Sequence, residues 1–214
     1  MKETEKNTEP QTGVTVVSPD NRVPKIARTG SLLVVTGPSG VGKGTVVGAV
    51  IDDVERLEKS VSVTTRARRK AEVEGEHYFF RSEEEFFAMQ KRGEFLEYAE
   101  FAGNYYGTPS HWVAEKLENG IDVILEIEVQ GAMQVRQKRS DAILIFMSPP
   151  SFEALASRLR SRGTETEEKI AERLKKAKGE MEQRHLFNYE VINDNVKEAV
   201  RNLESIVYAE RLRI

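Results

Sequence analysis

Along the chain, three stretches carry apolar residues with almost no polar interruption: Leu32-Leu33-Val34-Val35, Ile121 to Ile127, and Ala142 to Met147. Branched apolar runs without alternation are expected of strands covered on both faces, as in a parallel sheet. Between them, apolar residues recur at helical spacing. Val46 to Leu57 reads as the helix behind the first strand, and Gln130-Gly131 opens another behind the second. Leu155 and Leu159 give a helix after Ser151 its core stripe. Thr164-x-x-Glu167 has the form of a capping box for the next helix, whose stripe is Ile170, Leu174, Ala177 and Met181. Tyr189 to Ile192 is a short last strand, and Val196 to Leu212 is a closing helix with Val200, Leu203, Ile206 and Val207 facing in. Strand and helix in regular alternation predict an α/β, doubly wound sheet.

The middle of the chain has a looser pattern. Alternation from Val61 predicts a strand end opening into a basic loop, Arg66-Ala67-Arg68-Arg69-Lys70. A helix is expected near Ser82, with Phe86 and Phe87 in the core and Gly93 as its stop. Glu94 to Phe101 alternates, setting Glu97 on the face of Phe95 and Phe101, and Gly103 to Ser110 is a turn with Ser110 as the N-cap of a helix. Met1 to Thr29, rich in Lys, Glu, Thr, Asn and Pro, reads as a mobile tail with Val14 to Val17 as a brief edge strand.

Composition narrows the function classes mainly by exclusion. The 214 residues carry a net charge of −3 with no long block of one sign, so bulk attraction to nucleic acid or an anionic membrane is not indicated. The absence of cysteine removes disulfides, thiolate nucleophiles and cysteine zinc sites. His77, His111 and His185 are scattered without metal-ligand spacing. No run is long enough to span a membrane, so a cytoplasmic protein is expected. Nothing indicates a homo-oligomer.

The chemistry is concentrated after the first strand. Gly37-Pro38-Ser39-Gly40-Val41-Gly42-Lys43-Gly44-Thr45 has the Gly-x-x-x-x-Gly-Lys spacing of a phosphate-binding loop. Glycines let backbone N–H groups approach an anion closely, the following helix contributes its positive end, and Lys43 brings a mobile ammonium. A hydrolase elbow would need glycine where Val41 stands, and a dinucleotide fingerprint would need glycine or alanine where Thr45 stands. The hydroxyl residue usual after the lysine is replaced by Gly44. A nucleoside triphosphate is the predicted ligand. Farther on, the arginines of the basic loop and the hydroxyl of Tyr78 suit a second phosphate, while Glu126 and Glu128 lie at the C-terminal end of the second buried strand, where open parallel sheets place ligands. A solvated basic loop is the plain alternative reading of those arginines.

Assembled, these residues resemble the guanylate kinase family. The resemblance rests on the loop from Gly37 to Lys43, Ser62-Val63-Thr64-Thr65-Arg66-x-x-Arg69, Gly103-Asn104-Tyr105-Tyr106-Gly107-Thr108, Glu126-Ile127-Glu128-Val129-Gln130-Gly131, and Arg162-Gly163-Thr164-Glu165-Thr166. It covers about Ser31 to Arg211. It implies a P-loop parallel sheet flanked by helices, with an inserted α+β GMP-binding domain at 64–108 and a helical lid at 151–170, within a domain of residues 30–214. The implied reaction is ATP + GMP giving ADP + GDP, a step of purine nucleotide metabolism and GMP recycling.

By the same resemblance the loop residues 37–45 and Asn193 bind ATP, and Lys43, Arg66, Arg158, Arg162 and Arg173 act on the transferring phosphoryl group. Arg66, Arg69, Tyr78 and Tyr106 take the GMP phosphate. Ser62, Glu97 and Thr108 take guanine, and Glu72 and Glu128 complete the GMP side. Mg²⁺ is implied as a cofactor held mainly by ATP and water. Arg68 stands where the family commonly has proline, and Ala71 where it has glycine. A guanylate-kinase-like module that only binds a phosphorylated peptide is the rival class; its expected mark is a degraded loop, and Lys43 is retained.

Overall fold

The computed structural model describes residues 28–161 and 166–213. In chain order these form β1 (Leu32–Thr36), α1 (Lys43–Asp53), β2 (Leu57–Lys59), β3 (Ser62–Thr64), β4 (Tyr78–Phe80), α2 (Glu83–Lys91), β5 (Phe95–Phe101), β6 (Asn104–Pro109), α3 (Ser110–Glu118), β7 (Asp122–Glu126), α4 (Val129–Lys138), β8 (Ile143–Ser148), α5 (Phe152–Ser161), α6 (Glu167–Glu182), β9 (Tyr189–Ile192) and α7 (Val196–Arg211).

The larger sheet has the order β2-β7-β1-β8-β9, and every pair in it is parallel. Its central strand explains the uninterrupted apolar run. Alternation along β1 sends Leu33 and Val35 to one side, against α1 and α7, and Leu32 and Val34 to the other, against α3 and α4. All four are buried because both sides are covered. The second sheet, β4-β3-β6-β5, is mixed. One side of it packs on α2, where Phe86 and Phe95 stack at 4.6 Å with Val63, and Phe79, Met89 and Tyr105 surround them. A third apolar cluster, Leu155, Leu159, Ile170 and Ala177, joins α5 to α6.

Several local expectations are corrected. The helix expected over Val46 to Leu57 spans Lys43–Asp53 instead, and Leu57 opens β2. A left-handed turn residue, Arg56 with φ 58°, redirects the chain so that Leu57 can pair with Asp122. Ser82 does cap α2, in a reciprocal capping box with Glu85, but only Phe86 is core; Phe87 is exposed. Pro109 occupies the cap position of α3, making Ser110 its first helical residue. Thr166, not Thr164, caps α6 by accepting from the Lys169 N–H. The shared face of Phe95, Glu97 and Phe101 is broken by a bulge between Phe95 and Glu97, which buries Phe95, Leu96 and Glu97 in succession while Phe101 is 65% exposed. Thr164, Arg162 and the Val14 to Val17 segment lie outside the described residues.

At the N-terminal edge of the parallel sheet, Asp122 is fully buried and holds three partners. Arg28 donates to one of its oxygens, as does the Ser31 N–H at 2.6 Å, and Arg211 Nε donates to the other at 2.8 Å.

Candidate functional site

The C-terminal ends of β1, β7 and β8 converge on the loop 37–42, so the phosphate-binding motif lies where the sheet ends. Gly37 (φ 146°) runs against β8 closely enough that a Cβ would fall 2.2 Å from the Met147 carbonyl oxygen. Gly42 (φ 96°) occupies the cap position of α1 without a side-chain cap, leaving the first N–H groups of that helix to a ligand. Lys43 folds its ammonium back onto the loop, 2.5 Å from the Gly37 carbonyl oxygen. Burial lowers the pKa of this amine, against the opposing pull of Glu126, Glu180 and Glu128.

Basic side chains and an amide close the loop from three sides. Arg173 of α6 donates to Ser39 Oγ at 2.6 Å. Arg158 of α5 donates to the Asn193 carbonyl oxygen at 2.8 Å. The Asn193 side chain is buried and donates from Nδ2 to the Val41 carbonyl oxygen at 2.8 Å, which makes it a brace behind the loop. Its Oδ1 has no partner among the described residues. Arg162 lies outside the described residues.

The mixed sheet assembles the second half. Ser62 pairs with Tyr78, and the antiparallel register of Val63 with Gly107 and Thr64 with Tyr106 carries Ser62 on to Thr108. Thr108 in turn pairs with Glu97. Tyr78, Ser62, Thr108 and Glu97 therefore form one row across four strands and share one face, with Tyr106 two residues from Thr108 on the same face. Residues spread between positions 62 and 108 of the sequence are brought into line by pairing alone.

Within the row, Thr108 donates to Glu97 Oε1 at 2.7 Å. Glu97 is 5% exposed, and burial raises its pKa despite that hydrogen bond. The other oxygen rests against α4, where a Cβ on Gly131 would come within 2.9 Å of Glu97 Oε2. Gln134 of the same helix exchanges two hydrogen bonds with the Tyr98 backbone, at 3.2 and 3.0 Å, and so completes the open edge of β5. At the opposite end of the row, Arg66 lies over the Tyr78 ring at 5.4 Å, and the Tyr78 and Tyr106 rings are 6.0 Å apart.

Arg66 is held by Glu72 through two bonds, at 2.7 and 3.1 Å, and the same carboxylate accepts from the Arg69 N–H at 2.8 Å. These bonds, the Arg66 fork first, hold the Glu72 carboxyl down at about 2 and raise the guanidinium further. Glu72 thus acts as a clip on the basic loop. Arg69 contributes that backbone contact and is exposed.

Between the two halves stand Glu126 at the end of β7 and Glu128 at the cap of α4, each met by a lysine the sequence did not flag. Lys59 of β2 holds Glu126 Oε2 at 2.7 Å, and Lys176 of α6 holds Glu128 Oε2 at 2.8 Å. Glu180, one turn past Lys176, is a buried carboxylate on the side of Lys43, and desolvation raises its pKa. Its spacing of three residues from Ala177 was the available signal. A Cβ on Gly44 would lie 3.4 Å from Glu126 Oε1, so the missing loop hydroxyl leaves a carboxylate oxygen facing the start of α1. Among the described residues, no group of three or more His, Cys, Asp or Glu side chains could cage a metal ion. The Glu126 oxygen at the start of α1 fits a cation only as one ligand among others.

Residues 29–210 match the family model described as guanylate kinase. The guanylate kinase of Oceanobacillus iheyensis is 47% identical over 188 residues, covering 88% of this chain and 91% of that protein. That of Streptococcus thermophilus is 48% identical over 190 residues, with 88% and 91% covered. Among solved structures, the guanylate kinase from Anaplasma phagocytophilum is similar with a TM-score of 0.68 at 34% identity, covering 87% of this chain and 88% of that one.

Proposed function

The chain belongs to the guanylate kinase family, and from that premise we propose how its residues divide the transfer of a phosphoryl group from ATP to GMP. It is a nucleoside monophosphate kinase with a P-loop fold, and its reaction yields ADP and GDP. The observation that carries the proposed division is the row Tyr78, Ser62, Thr108, Glu97 facing the same way across the mixed sheet.

Guanine presents two adjacent N–H donors beside the O6 acceptor. The buried Glu97 carboxylate accepts from both donors, the Ser62 hydroxyl donates to O6, and the Thr108 hydroxyl turns from Glu97 Oε1 to O6 as guanine binds. Adenine has no such donor pair and would leave the carboxylate unmatched, a misfit that discriminates by roughly 10⁴ or more. Arg66, Arg69, Tyr78 and Tyr106 take the GMP phosphate, with Glu72 fixing the approach of Arg66; Glu128 completes the GMP side.

On the donor side, loop 37–45 cradles the ATP phosphates, and Lys43 leaves the Gly37 carbonyl for the β- and γ-oxygens. Asn193 supports the loop beside the adenine position. A phosphate monoester is largely dianionic near neutrality, so its oxygen attacks in line without a general base. The protein holds two polyanions together and offsets charge on the moving group with Lys43, Arg66, Arg158, Arg162 and Arg173. The proposed lid at 151–170, which holds α5 and the first turn of α6, excludes water. Residues 64–108 form the proposed GMP-binding insert, residues 30–214 the whole domain, and residues 1–29 a tail whose Arg28 is tied to the domain through Asp122. Mg²⁺, brought by ATP and bounded by Glu126 and water, would add further positive charge at the phosphates. We assign the reaction to purine nucleotide recycling in the cytoplasm. No described helix is long and apolar enough to cross a membrane.

The test is ADP release from ATP and Mg²⁺ with GMP, AMP, CMP or UMP as acceptor. Turnover confined to GMP is the expected result. Equal turnover with AMP would refute the Glu97 assignment, and GMP binding without turnover would favour the binding module.

A further inference from the structure

Helix α6 touches both halves of the site at once. Arg173 reaches Ser39 in the phosphate loop at 2.6 Å, while Lys176, less than one turn later, reaches Glu128 at 2.8 Å. Lys176 also lies 3.8 Å from Glu180 on its own helix, and Glu180 is buried on the side of Lys43. Four groups of alternating sign therefore run from the GMP side to the ATP side: Glu128, Lys176, Glu180 and Lys43.

We propose that Lys176 is a positioning residue that couples the two substrate sites, exchanging its partner Glu128 for Glu180 as GMP binds. The proposal rests on Glu128 belonging to the GMP side. When Glu128 turns to GMP, Lys176 loses its short contact, and its remaining anion is Glu180. Pairing there offsets the negative field beside Lys43 and brings one more cation toward the donor phosphates. By linkage, ATP drawing on Lys176 frees Glu128 for GMP, so each substrate tightens the other by the same factor. The Lys176–Glu128 pair is about half exposed on both sides, which limits the factor to roughly two- to fivefold.

The experiment is calorimetric titration of the full chain with GMP, in the absence and presence of saturating adenylyl imidodiphosphate and Mg²⁺. The wild type is expected to bind GMP two- to fivefold more tightly with the analogue present. In Lys176→Met the ratio is expected to fall to about one, with GMP alone bound as well as or better than by the wild type, because Glu128 is already free. Lys176→Arg, which keeps the charge, should restore the ratio. An unchanged ratio in Lys176→Met overturns the coupling role. Failure of the wild type to bind GMP at all would instead overturn the proposed function, so the two failures are distinct. A ratio lost equally in Lys176→Arg would also count against the charge exchange.

Discussion

The two halves of the proposed site are built in opposite ways. The donor half is built from backbone: a loop whose Gly37, Gly40 and Gly42 take positive φ, a helix start without a side-chain cap, and a lysine resting on a loop carbonyl. The acceptor half is built from side chains on regular strands, aligned in a single row by register. A phosphate chain offers the same oxygens whatever base it carries, so main-chain N–H groups suffice for it. A purine must be told from its neighbours by donor and acceptor pattern, and only side chains supply that variety.

That contrast is broken first at Lys43. Lys43→Ala should lower kcat by roughly 10² to 10³-fold, the loss typical of removing one preorganised charge partner, with little change in KM for GMP. Glu97→Gln should do the reverse, raising KM for GMP by roughly 10- to 100-fold as a charged acceptor is lost, with KM for ATP near its wild-type value. Steady-state kinetics with both substrates varied checks the pair; a similar rise in GMP KM for both variants would abolish the distinction.

Acidity sharpens the comparison. Burial holds the Glu97 carboxyl above the usual carboxylate range, and the guanine contact proposed for it needs the ionised form. GMP affinity should therefore fall as pH drops through that raised value. The GMP phosphate titrates near pH 6 in any protein, so the difference between wild type and Glu97→Gln isolates the residue. The smallest effect is expected of Glu72→Gln, which loosens Arg66 without removing it and should raise KM for GMP by roughly two- to fivefold. The contribution of Glu72 to stability is present above its ordinary pKa and is lost as pH falls toward about 2, which thermal melts in acid would register in the wild type and not in the variant.

The same contrast accounts for what could be read from sequence. The donor half is nearly contiguous, so spacing alone identified it, and the buried strands around it were visible because covering both sides of β1, β7 and β8 forces unbroken apolar runs. The row of the acceptor half joins residues 62, 78, 97 and 108 only through strand pairing; Tyr78 was legible beside the basic loop, while Ser62, Glu97 and Thr108 were gathered by resemblance. Strand β2 escaped notice because three edge residues with one buried apolar side chain leave no periodic signal. Lys59, Lys176 and Glu180 escaped because a charged residue on an edge strand or helix looks like ordinary solvated surface until its partner from another element is known. The bulge at Phe95 to Glu97 defeated the two-residue alternation at the strand that carries the proposed guanine contact.

Asp122 has a consequence of a different kind. Because Arg28 and Arg211 meet on one buried carboxylate, the two ends of the described polypeptide are neighbours at the N-terminal ends of the parallel strands, opposite the proposed site. A short flexible tether could join residue 213 to residue 28 without crossing the site, and the closed ring could be reopened at the Ala102–Gly103 turn, where both residues are exposed and in left-handed conformations. Such a rearranged gene would encode the same elements in another order. If it still phosphorylates GMP, the activity belongs to the packing of those elements and not to the position at which the chain is opened.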